Sequence, residues 1–373
     1  MSEKALKITS IDLIPVRIPI IHEYKLGIGS LKSVENIFVK VRTDEGIVGW
    51  GESSPWGVFT GETIQTVMGV IRNVLGPAII GENPTDIVHI SGKMNSLIKG
   101  NMSSKAAIDI ALHDIMGKLY KVPLSKLLGG VIQDKLPISY SVASQDLTHD
   151  LSDIKQMLNR GVKILKIKTG VLKIDAEIER IKTIREACGE GVDIRLDANQ
   201  GWNLSTAKEI LKKISKYDIT FVEQPVPYWD INGLSRIRKE IDIPISVDES
   251  VFELYDAIRV IKEEAADIIS IKLMKHGGIF FSKKIVTLSE AYGLKCYSGL
   301  MWESGIGAAA SLHLAASSDI FCYGGDYYIP KYLLMDEITI DQLRVEGGFI
   351  YLPKGPGLGI EPDEDKLKKY AIH

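Results

Sequence analysis

After Gly129-Gly130 the chain settles into short apolar runs separated by stretches with helical spacing, and this alternation constrains the fold more than any other feature. Eight runs can be read: PISYSVA, ILKIKTG, DIRLDANQ, FVEQPV, PISVDES, IISIKLM, KCYSGLM and IFCYGGD. Between them lie amphipathic segments such as KIDAEIERIKTIREA and LSTAKEILKKISKY. A strand followed by a helix, repeated over roughly 200 residues, is the pattern of a closed parallel (β/α)8 barrel. A doubly wound sheet alternates in the same way but uses fewer strands, and no G-x-G-x-x-G follows any run here.

The segment before the barrel reads differently. Residues 7 to 50 alternate like antiparallel strands, with Asp44-Glu45-Gly46 as a tight turn, and from Gly61 to Leu128 the apolar residues recur at three-and-four spacing. An α+β unit over residues 1–130 is therefore expected before a barrel over 131–326. The tail, 327–373, is expected to return to the first unit. At 373 residues the chain exceeds what one hydrophobic core covers. A net charge of −3 supplies neither a basic stripe for nucleic acid nor a polybasic membrane anchor, so small molecules are the expected partners. Cys188, Cys296 and Cys322 are far apart and lack any C-x-x-C pairing, which favours buried reduced thiols. The charged N-terminus and the absence of a long apolar run point to a cytoplasmic location.

Barrel enzymes carry their chemistry at the C-terminal ends of strands. Here the second strand ends in Lys166-Ile167-Lys168, the third in Asp197-Ala198-Asn199, the fourth in Glu223, the fifth in Asp248 and the sixth in Lys272. One such residue alone is usually solvated or salt-bridged, but five strands in succession form a pattern. Because strand side chains alternate faces, Asp197, Glu223 and Asp248 can converge on one point. Their mutual repulsion is relieved by a hard divalent cation, Mg²⁺ or alternatively Mn²⁺, since the set holds no His or Cys for Zn²⁺. Lys168 and Lys272 then face each other across a substrate carboxylate. One lysine removes the neighbouring proton, the cation stabilises the enediolate, and Lys166 helps to lower the lysine pKa. Lys275 and His276 read as loop residues, and His113-Asp114 as a helix-surface pair.

These residues, with GNMSSKAA, LKIKTG, RLDANQGW, VEQPV, DESVF, IKLMKHGGI and the PGLGI tail, resemble the enolase superfamily. The likeness is to its muconate-lactonizing subgroup, the mandelate racemase/muconate lactonizing enzyme family, and within that to the dipeptide epimerases. The resemblance implies an α+β capping domain over a modified (β/α)7β barrel of the TIM type, with the eighth helix missing or irregular. It also implies Mg²⁺ on Asp197, Glu223 and Asp248, with Lys168 and Lys272 as the acid/base pair and Lys166 assisting.

Two departures bear on the substrate. Epimerases that grip a dipeptide amino group carry Asp-x-Asp at the end of strand eight, where this chain has Gly324-Gly325-Asp326. In the first capping loop, Gly29 stands where the alanyl-glutamate type has an arginine. A non-acidic, apolar dipeptide is the expectation. The alternatives are an N-acylamino acid, which the Leu300–Gly305 segment also resembles, and a muconate-type cycloisomerisation or acid dehydration at the same site. The complete lysine and carboxylate set argues against a non-catalytic binding protein. Asp326, Ser141, Asn199, Glu303, Ser304, Ile28, Trp56 and Phe59 are the candidate substrate contacts, with the two aromatic residues as an apolar lid. A homo-oligomer is expected.

Overall fold

A computed structural model describes residues 6–26 and 29–372. Strands β1 (Ile8–Leu26), β2 (Gly29–Thr43) and β3 (Val48–Ser53) form an antiparallel sheet in that order. The β2–β3 turn closes at Gly46, whose φ of 79° suits glycine. Alternation along β2 buries both faces: Val34 and Phe38 join the core shared with the barrel, while Ile37, Val39 and Val41 join a second core beneath helices α1 (Ile64–Val70), α2 (Ile87–Leu97) and α3 (Met102–Leu119).

Helix α3 is held unusually close to the sheet. A Cβ at Gly51 would stand 1.8 Å from the Ala107 carbonyl oxygen, and one at Gly49 2.2 Å from that of Ala111, so only glycine admits this approach. With the sheet on one side and the barrel on the other, nearly every residue from Ser103 to Gly117 is buried. This corrects the expectation of a surface pair at His113-Asp114. Asp114 accepts from the backbone N–H groups of Trp50 and Leu358, both at 2.9 Å, and burial pushes its pKa up to about 6. The His113 ring lies 2.8 Å from the Asp109 carbonyl oxygen.

The barrel comprises β4 (Ser139–Val142), β5 (Ile164–Lys168), β6 (Asp193–Asp197), β7 (Ile219–Glu223), β8 (Ile245–Val247), β9 (Ile268–Ile271) and β10 (Lys295–Ser298). Each is parallel to the next in chain order. Outside run helices α4 (Leu147–Asn159), α5 (Ile174–Cys188), α6 (Leu204–Ile214), α7 (Ile231–Glu240), α8 (Leu254–Lys262), α9 (Ile279–Ala291) and α10 (Gly305–Ala316).

The eighth run does not form a strand of its own. It closes the ring at a single residue, Gly325, which bridges Ile138 on one side and Ser298 on the other. Gly324, at φ 68°, breaks the extended geometry a ladder needs, and an irregular helical turn over Ile329–Leu333 follows in place of a full helix. The repeat of eight complete strand–helix units therefore ends one unit early, in the (β/α)7β form. The tail pairs Phe349–Tyr351 with Lys135–Pro137 and bridges β1 through Leu334 and Ala371. All three cysteines are free, but only Cys296 is buried; Cys188 is half-buried and Cys322 exposed, contrary to the expectation of three buried thiols. Among the described residues no helix is long and apolar enough to cross a membrane.

Candidate active site

Strand alternation turns Lys166 and Lys168 of β5 into the barrel while Leu165 and Ile167 pack outward. Asp193, Arg195 and Asp197 of β6 share a face by the same rule, and Glu223 ends β7. Asp248 follows β8 directly, and Lys272 follows β9 at the start of a helical turn, Leu273–His276. All of these side chains are buried except Asp193, which is partly exposed.

Every carboxylate of the expected cation site is paired with a lysine. Lys168 Nζ lies 2.5 Å from Asp197 Oδ2 and donates to Asn199 Oδ1 at 3.0 Å. Lys166 Nζ donates to Glu223 Oε2 at 3.2 Å and to Asp326 Oδ2 at 2.8 Å. Lys272 Nζ donates to Asp248 Oδ2 at 2.6 Å. Burial works to lower the lysines, but Asp326 and Glu223 hold Lys166 well above its ordinary value, and Asp248 and Glu223 raise Lys272. Burial would lift Asp248, yet Lys272 and Lys275 hold it well below the carboxylate range. Glu223 goes the other way, pushed up to about 7 by burial and by the charges of Asp197 and Asp248, which outweigh Lys166. Glu249 rises to about 8 for similar reasons, burial first and then Asp248 and Asp197.

This electrostatic imbalance tests whether the residues fit a divalent cation. Among the described residues no three His, Cys, Asp or Glu side chains already stand in a metal-ligating cluster; the lysines occupy the carboxylates instead. Glu223 Oε1 is nonetheless fully buried with no hydrogen-bond partner, as is Glu249 Oε2. Unmatched buried carboxylate oxygens with raised pKa values are what a hard cation would satisfy, and the donor set is all oxygen. The residues fit the group.

Above these pairs lies a small cavity of about 30 Å³. Lys166, Lys168, Lys272, Asn199, Ser141 and Asp326 provide its polar lining, and Trp56, Phe59, Leu300, Met301, Trp302 and Ile329 its apolar walls. Trp56 and Trp302 meet edge to face at 5.6 Å, and Lys272 Nζ sits 4.6 Å from the Phe59 ring centre. Thus Ser141, Asn199, Asp326, Trp56 and Phe59 are brought together with the lysines. Glu303 and Ser304 are not. Ser304 donates through its N–H and hydroxyl to Glu52 at the N-terminus of α10, and Glu303 Oε2 accepts from the Met301 N–H in the loop before it, with Oε1 buried and without a hydrogen-bond partner. Ile28 lies outside the described residues.

Lys275 and His276 are the clearest departures from expectation. Neither is in a solvated loop: Lys275 is 0% exposed and pairs with Asp248, and His276 sits against the Phe252 carbonyl with its pKa down to about 3 through burial and the Lys275 charge. Tyr297 was also missed. It donates to Asp326 Oδ1 at 2.6 Å while its ring lies 4.7 Å from Lys166 Nζ, so both oxygens of Asp326 are engaged. Alternation along β10 marks Tyr297 as inward-facing, a signal that attention to strand ends passes over. Gly324, two residues before Asp326, leaves no room for a side chain: a Cβ there would lie 2.2 Å from the Pro137 carbonyl oxygen.

Comparison with known proteins agrees with this architecture. Residues 9–129 match the mandelate racemase/muconate lactonizing enzyme N-terminal domain, and residues 150–366 the enolase C-terminal domain-like family. The chain is 38% identical to an L-Ala-D/L-Glu epimerase of Clostridium acetobutylicum, over 92% of this chain and 96% of the relative. The crystal structure of the N-succinyl Arg/Lys racemase of Bacillus cereus superposes with a TM-score of 0.95 at 34% identity, covering 98% of each chain. A dipeptide epimerase of Cytophaga hutchinsonii, solved with Mg and D-Ala-L-Val, gives 0.93 at 32% identity, over 97% of this chain and 98% of that one. On barrel, capping domain and these matches alike, the chain belongs to the mandelate racemase/muconate lactonizing enzyme family of the enolase superfamily and is an isomerase.

Proposed function

We propose that this isomerase inverts the carbon next to a carboxylate by two-base proton transfer, acting on an amino-acid derivative with an apolar side chain. The observation that carries the reading is that Lys168 and Lys272, from strands four places apart in the sheet, line one small cavity. Each ε-amino group can reach the reacting carbon from its own side: one takes the proton, and the other returns one to the opposite face. Lys166 keeps positive charge beside the carboxylates. When bound by Asp197, Glu223 and Asp248, Mg²⁺ would stabilise the charge that develops on the substrate carboxylate and take the carboxylates' charge from the lysines, so that burial brings a lysine toward the neutral amine a base requires. The aromatic and aliphatic walls exclude water and suit an apolar side chain.

Within this class the state of Asp326 favours an N-acylated amino acid over a dipeptide with a free amino group. Both its oxygens are engaged, by Lys166 and Tyr297, and position 324 offers no second carboxylate. The test is to incubate N-acylamino acids, apolar dipeptides and a muconate with the Mg²⁺-loaded enzyme in D₂O. Exchange of the α-hydrogen with inversion is expected for the amino-acid derivatives, fastest for the acylated ones. Lys168→Ala and Lys272→Ala should each abolish exchange from one enantiomer only. Turnover that neither substitution changes would defeat the two-lysine mechanism, and lactone formation without exchange would make the enzyme a cycloisomerase.

A further inference from the structure

Asp248 meets two lysines three residues apart, and they hold it in different ways. Lys272 touches Oδ2 alone, at 2.6 Å, and faces the cavity. Lys275 Nζ lies 2.6 Å from the Asp248 main-chain carbonyl and 2.9 Å from Oδ1, is wholly buried, and does not line the cavity. The helical turn Leu273–His276 creates this arrangement by bringing Lys275 round beneath Lys272, with the Lys275 N–H donating to the Lys272 carbonyl at 3.2 Å.

The turn is firmly anchored. Gly278, at φ 102°, closes it by donating to the Leu273 carbonyl at 2.9 Å. From the capping domain, Asp109 Oδ2 accepts from the Ile279 N–H at 2.6 Å, and a Cβ at Gly278 would lie 2.3 Å from that oxygen. Met274 accepts through sulfur from the Ser54 N–H at 3.3 Å. Lys275 is therefore presented from a segment fixed on both sides.

We propose that Lys275 is a positioning residue and the permanent counter-ion of Asp248. It hydrogen-bonds the backbone carbonyl and sets its charge beside one carboxylate oxygen, so that the other oxygen can pass from Lys272 to a cation without Asp248 turning or losing its counter-charge. One carboxylate with two ammonium partners has one to spare, and the spare is the lysine that faces the cavity. This rests on the two-lysine reading above.

The test uses the full-length protein with Lys275→Met, Lys275→Gln and Lys275→Arg. The first measurement is binding of Mn²⁺ alone to the metal-free protein, by calorimetry. Removing a neighbouring positive charge would by itself tighten binding of a divalent cation, so weaker binding reports lost orientation of Asp248. A rise in Kd of about 10- to 100-fold is expected for the Met and Gln variants, as for loss of other groups that orient metal ligands. Lys275→Arg, which keeps charge and donors, should bind Mn²⁺ more tightly than either. The second measurement is exchange in D₂O from each enantiomer separately, at a cation concentration that saturates each variant, where the loss should fall mainly on the Lys272 face. Unchanged or tighter Mn²⁺ binding in folded variants overturns the proposal. So does equal loss on both faces, or failure of all three variants to fold, which would make Lys275 a structural ion pair. If the wild-type enzyme exchanges no substrate offered, the two-base reading fails while Mn²⁺ binding still decides the role of Lys275.

Discussion

Arg195 and Lys166 occupy successive layers of one barrel, and both lie against the Tyr297 ring, at 5.6 and 4.7 Å. In the deeper layer the charges are matched. Arg195 forks onto both oxygens of Asp193 at 3.0 and 2.8 Å, donates to the Tyr323 carbonyl at 2.5 Å, and is caged by Phe221 and Tyr323. At the mouth the cations are lysines, whose charge can be removed, and the carboxylates keep unmatched oxygens on Glu223 and Glu249. A charge that only holds a fold has every nitrogen bonded. Charges that must change partners are left short of them.

The contrast can be broken most directly at the mouth. Lys168→Ala or Lys272→Ala should lower kcat for inversion by about 10³-fold, in the range for loss of a general acid or base, while thermal unfolding in the presence of Mg²⁺ moves little. The reverse is expected one layer down. Arg195→Met should cost about 2 kcal/mol of stability, from losing the charged hydrogen bonds of a buried guanidinium whose carboxylate partner is partly exposed, and should affect rate only in proportion to the folded fraction; chemical denaturation measures it. A variant at Arg195 that stays stable but inactive would erase the distinction.

The pH dependence sharpens the comparison further. Glu223 and Glu337 are raised to about 7, and Glu249 and Glu303 to about 8, each chiefly by burial. A carboxyl raised on folding binds protons more readily in the native state, so its contribution to stability is full below the unfolded pKa and is lost as pH rises through the folded one. The metal-free protein should therefore lose stability between about pH 6.5 and pH 8, above the range where the lowered His276 and His313 offset the carboxyls, and Mg²⁺ added at the upper end should restore part of it through Glu223. A melting temperature that rises over that window in EDTA contradicts the electrostatics described here. The smallest effect is expected at the lid. Phe59→Ala removes the ring beside Lys272 and should raise KM about tenfold for an apolar substrate, with a smaller change in kcat.

What the sequence makes legible follows from what is local. The parallel barrel is visible because each strand and helix carries its own periodicity, and the lysines and carboxylates because each sits at the end of a run. The closure at Gly325 is not, since IFCYGGD has the apolar content of a strand and only the contacts of Gly324 with Pro137 show why it cannot extend. Lys275 was misread because a residue one turn past a strand end looks solvated until Asp248, on a neighbouring strand, is placed beside it. Ser304 reads as a substrate contact beside Leu300 to Trp302, whereas Glu52, contributed from a remote strand, holds it at the helix end. Burial all round α3 likewise hides from pattern, because a helix covered on every side shows no polar face.

Gly324 also limits how such an enzyme can change. Installing the aspartate that amino-gripping relatives carry at this point is one codon change on paper. Here the first atom of the new side chain meets the Pro137 backbone oxygen, just before the first barrel strand, and the backbone already holds a conformation that L-residues rarely adopt. The substitution alone gives a damaged barrel rather than a new specificity. A lineage or an engineer seeking that grip must first rebuild the segment that closes the ring, so a change of substrate at this corner starts as a change of fold.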